Sequence, residues 1–179
     1  GLGLGTIYRL LIAVVATFSE LRLHFLEVPA VTEPTRLLTR VGLPPGLSYL
    51  ILSKDRDPAY AAFRELVATT PGLCITGSYP PKLQRRFALE RTPVLWVTSA
   101  SGYDFCVGPK ALEFELLQSI VRFVKSNPAT VVLVDSVDLF VHTNGFEAVT
   151  RFLRRVNNRA AERRSTIIAA VDPEALTEG

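Results

Sequence analysis

Five short apolar runs, separated by stretches with helical spacing, constrain this chain more than any other feature. They are residues 49–53 (YLILS), 73–76 (LCIT), 94–98 (VLWVT), 131–134 (VVLV) and 166–171 (TIIAAV). A strand with one face in water alternates apolar and polar residues, whereas a strand covered on both faces does not. The intervening segments carry helix signals. Asp57-Pro58 opens one helix, with Phe63, Leu66 and Val67 as its apolar side. A short helix follows at 82–89. Pro109 opens a longer one with Leu112, Leu116, Leu117, Ile120 and Val124 inward, and Asn144 caps another with Val149, Phe152, Leu153 and Val156 inward. Asp172-Pro173 is expected to start a last short helix. The fold class expected is α/β: three layers, a mainly parallel five-stranded sheet with helices on both faces.

A chain of 179 residues allows one domain and an appendage. The mean hydropathy of +0.26 is high for such a domain, and the excess lies in residues 1–28. A heptad count places Ile7, Val14, Leu21 and Val28 on one position and Leu11, Phe18 and Phe25 on the other, the seam of a helix packed along a partner. Two readings stay open for this N-terminal hydrophobic helix. It enters a membrane from the cytoplasmic side, or it is buried in an oligomer or against the domain. A rival local reading makes Leu21, Leu23 and Phe25 alternate as a short strand. Residues 29–46, with four prolines, read as a linker, and 47–179 as the α/β domain. A chain opening on Gly1 is expected to be a piece of a longer one.

Cys74, Cys106, His24 and His142 lack the close pairs that a zinc site needs, and two cysteines make no disulfide framework. A reducing compartment follows: the cytoplasm, or the cytoplasmic face of a membrane.

Parallel sheets bind ligands beyond the C-terminal ends of their strands. Those ends carry Asp55, Asp135, Asp138 and Asp172, a candidate acidic rim for Mg²⁺ or a nucleotide. The simpler reading makes them turn and cap residues. The strand before Asp135 resembles the acid-bearing strand of P-loop ATPases, but the phosphate loop is missing. Gly72 and Gly77 have its spacing, yet Ser78 and Tyr79 stand where Lys and a hydroxyl residue belong. Pro80 and Pro81 also remove N–H donors. No nucleophile elbow or catalytic triad is present, so no enzyme and no cofactor are expected.

Six arginines lie between residues 151 and 164, and Arg151, Arg155 and Arg159 form a stripe that suits anionic lipid or nucleic acid. No aromatic interleaves it, so nucleic acid is not expected. A solvated outer face is the plainer account.

The segments SYLILS, GLCITGSYPP, TPVLWVTS, VGPKALEFELLQSIVRFV, VVLVDSVDLFVHTNGFEAVTRFL and IIAAVDPEAL, in that order and spacing, resemble an archaeal domain family of unknown function, number 835 in its series. The resemblance implies a RecA/KaiC-like (Rossmann-like) core without a P-loop, often found after membrane helices or sensory modules. It brings no catalytic residues. The function expected is a non-catalytic regulatory or protein-interaction module, membrane-associated or oligomeric. Its partner is a second copy or another protein, met through the N-terminal helix.

Overall fold

The computed structural model describes residues 46–175 and the backbone of 23–27. Seven strands form one sheet in the order β1-β2-β7-β6-β3-β4-β5, with every neighbouring pair parallel. They are β1 (Leu23–Glu27), β2 (Ser48–Leu52), β3 (Gly72–Thr76), β4 (Val94–Val97), β5 (Cys106–Val107), β6 (Val131–Val134) and β7 (Thr166–Val171). The helices are α1 (Asp57–Val67), α2 (Pro80–Phe87), α3 (Leu117–Ser126), α4 (Val137–Asn144) and α5 (Phe146–Glu162). A π-helical turn, Leu112–Leu116, leads into α3.

Each central strand buries both faces, which is why its sequence is a continuous apolar run. Ile51, Cys74, Val131, Leu133, Ile168 and Ala170 face α1 and α2. Leu50, Ile75, Val132, Val134, Ile167 and Ala169 face α3, α4 and α5. The period of two along every strand divides one sheet between two cores. Gly72 lets α1 approach: a Cβ there would meet Val67 Cγ1 at 2.3 Å.

Four expectations need correction. The sheet is not five-stranded; β1 and β5 extend it at its two edges. A helix cannot run through residue 28, because Leu23–Glu27, with Phe25 in it, pairs with Ser48–Leu52 as a strand. Pairing with the open edge of β2 satisfies backbone groups that a local heptad pattern does not register. The other seam residues, Ile7, Leu11, Val14, Phe18, Leu21 and Val28, lie outside the described residues, as do 29–45 of the linker. Asn144 ends α4 rather than capping α5. Its Nδ2 donates to Phe140 O and Pro109 O, and Gly145 turns the chain at φ +82°. Asp172 is followed through residue 175 by a turn and not a helix.

The path of the chain fixes where a site can form. β2–α1–β3 and β3–α2–β4 cross on one face, while β5–α3–β6 and β6–α4–α5–β7 return on the other. Neighbours β3 and β6 therefore send their chains to opposite faces. Their C-terminal ends flank a crevice, the topological switch point of the sheet.

Candidate functional site

Asp135 follows β6 at that switch point and is 6% exposed. Tyr60 of α1 donates a short hydrogen bond to Oδ2, Thr76 Oγ1 donates to the same oxygen at 3.0 Å, and Ser136 Oγ donates to Oδ1 at 2.8 Å. The two hydroxyls also accept backbone donors, Thr76 Oγ1 from Ser78 N at 3.0 Å and Ser136 Oγ from Gly77 N at 2.7 Å. The carboxyl thus anchors the turn that follows β3. Burial pushes the Asp135 pKa up, opposed by its hydroxyl donors and by the charge of Arg56. Burial and the nearby Asp135 also raise the Cys74 thiol, whose Sγ lies 3.7 Å from the Tyr60 hydroxyl. Such a thiol stays protonated and inert.

A crevice of about 460 Å³ opens beside this group, between the loop after β2 and the start of α2. Tyr60 and Phe87 stack at its base, 4.1 Å apart. Its charges are largely matched: Arg56 meets Asp138 at 2.6 Å, Arg86 meets Asp57 at 2.7 Å, and Lys54 meets Glu174 at 2.6 Å. A larger cavity, about 740 Å³, lies at the opposite strand ends, near Pro71, Gly72 and Pro93. Parallel sheets do not place their ligands there.

The other unusual surface is the β4–β5 edge. No strand pairs with the outer side of β5 among the described residues. On one face of this edge Trp96 donates Nε1–H to Gly77 O at 3.2 Å. It stands edge-on to Tyr79 and Tyr103 at 5.6 and 4.8 Å, both of which are 52% exposed. Beyond them Phe105 is 82% exposed and Phe114 is 79% exposed. Phe105 also holds φ +58°, a conformation that a bulky residue adopts only under constraint. Here the constraint is β5 pairing, which begins with Trp96 N donating to Phe105 O at 3.0 Å.

The family described as "Protein of unknown function (DUF835)" matches residues 52–179. The chain belongs to the DUF835 family. The matched region begins at the last residue of β2 and takes in the switch point and the aromatic edge. No curated protein matches the chain.

In this DUF835 domain the four expected aspartates each have their own partners. Asp135 is enclosed by hydroxyls, and Asp138 pairs with Arg56. Asp55 accepts from Asp57 N at 3.1 Å and Asp172 from Glu174 N at 2.9 Å. Among the described residues no three carboxylates, histidines or cysteines gather to hold a metal ion. Of the arginine stripe on α5, Arg151 pairs with Glu113 at 3.3 Å and Arg159 with Glu162 at 3.1 Å, leaving Arg155 between them. No described helix is long and apolar enough to cross a membrane. Sequence reasoning missed Phe105 and Phe114. Phe114 could have been found, because it falls off the stripe of Leu112, Leu116, Leu117, Ile120 and Val124 and stands between Glu113 and Glu115.

Proposed function

We propose that this DUF835 domain is a non-catalytic protein-interaction module that meets its partner through the β4–β5 edge. The observation that carries this reading is the two exposed phenylalanines, Phe105 and Phe114, at an edge that no described strand pairs with and whose other face carries the Tyr79–Trp96–Tyr103 cluster. Large apolar side chains held in solvent mark interaction sites, and open strand edges invite pairing unless they are protected. The Asp135 environment supports the non-catalytic half: its oxygens are occupied by protein donors, and the turn beside it carries two prolines where phosphate-binding N–H groups belong.

A photo-crosslinking amino acid placed at position 105, and separately at 114, tests the reading in the native cell. Discrete protein adducts are expected from both positions and none from exposed Glu65 of α1, which packs on the opposite face of the sheet from the groove. The absence of adducts at 105 and 114 would end the proposal. Incubation with ATP and Mg²⁺ checks the other half: no hydrolysis above that of Asp135→Asn is expected.

A further inference from the structure

Behind Phe105 the second face of the sheet is incompletely covered. α3 packs over β3 and β6 but leaves a groove of about 610 Å³ between its outer side and β4. Leu73, Leu95 and Phe123 line it, and Phe105 forms its outer wall. Arg122 is the single charged residue among its lining residues. Arg122 is exposed, and no carboxylate pairs with it among the described residues. The groove continues along the edge into a second hollow of about 430 Å³, shared by Arg122 and bordered by Cys106, Phe114 and Glu115, whose carboxylate makes no ion pair with Arg122.

This combination restricts what can close the groove. An apolar segment would gain from covering Leu95, Phe105 and Phe123 but would strip water from an Arg122 guanidinium that no carboxylate contacts, Glu115 lying in the adjoining hollow, at a cost of several kcal/mol in a fully dry interface. A segment bearing a carboxylate beside its apolar side chain avoids that cost, and Arg binds carboxylate in a fork geometry. The open edge of β5 lies next to the groove and supplies main-chain pairing for an extended segment. We propose that the groove receives an extended segment of a partner protein with an aliphatic or aromatic residue adjacent to Asp or Glu. The apolar residue sits against Phe105 and the acid on Arg122. This rests on the interaction reading above and adds the chemistry of the partner.

The test is a phage-displayed random peptide library selected in parallel on the full 179-residue chain, on Phe105→Ser and on Arg122→Glu. Both positions are exposed, so both variants keep the fold, which circular dichroism verifies. Wild type is expected to enrich peptides pairing an apolar residue with Asp or Glu. Those peptides should bind Phe105→Ser and Arg122→Glu more weakly by about tenfold or more. Selection on Arg122→Glu should turn toward Lys and Arg. Peptides that need Phe105 but show no acidic preference and ignore Arg122→Glu would overturn this inference and leave the interaction reading standing. Peptides that bind Phe105→Ser undiminished, together with no crosslinks at 105 or 114, would overturn both. A wild-type dimer in sedimentation that Phe105→Ser abolishes would make the occupant a second copy, and the partner proposal would fall.

Discussion

Burial and hydrogen bonding pull the Asp135 carboxyl in opposite directions, and burial is the larger influence. A carboxyl whose folded pKa is raised stabilises the fold while protonated. That contribution is complete below the unfolded value, about 3.9, and is lost as pH rises through the folded value. Wild type is therefore expected to lose stability relative to Asp135→Asn as pH climbs from about 4, read as the difference between their urea midpoints. Tyr60→Phe removes a donor that lowers the Asp135 pKa, so it should carry this window to higher pH. It should also cost about 1–3 kcal/mol, the penalty for a buried acceptor left short of a partner. Phe105 makes the opposite case. Its ring is in solvent and its backbone is in the left-handed region, so Phe105→Gly should stabilise the isolated domain by about 1 kcal/mol. A thermal melt that drops instead would show that the ring contributes to folding.

The elements written in bulk hydrophobicity were legible. β2, β3, β4, β6 and β7 are the five apolar runs, and the inward residues of α3 and α5 follow their helical spacing. Elements set by neighbours were not. β5 has two residues, and nothing in its loop of small and polar residues marks them until β4 is there to pair with. α4 follows β6 after only two residues, so its Val137, Leu139 and Val141 look like the tail of a strand. The acids at the strand ends were legible as positions but not as partners, since Tyr60 and Arg56 reach Asp135 and Asp138 from 75 and 82 residues earlier in the chain. Surface features of α5 should prove energetically small. Its ion pairs are more than half exposed at the arginines, so Arg151→Ala and Arg159→Ala should each shift stability by less than about 1 kcal/mol. Where α1 meets β3 a single methyl should matter more. Gly72→Ala drives a carbon into Val67 and is expected to cost about 1–3 kcal/mol in a urea titration.

At the scale of the whole molecule the sheet is two groups of strands joined through β7. That strand pairs with β2 on one side and β6 on the other, with registers from Ser48↔Ile167 to Leu52↔Val171 and from Val131↔Thr166 to Val134↔Ala169. Of the seven described strands, this interior one is the last that the ribosome makes. While the nascent chain is still being extended, β3, β4, β5 and β6 can assemble as one patch. Among the described strands, β1 and β2 pair only with each other until residue 166 and its successors leave the exit tunnel. For that interval two parallel edges, each apolar on both faces, are exposed to whatever the cytosol offers, including chaperones and other nascent chains of the same kind. Among the described strands β7 alone joins the two groups, so a chain that lacks it has no strand pairing between β1–β2 and β3–β4–β5–β6.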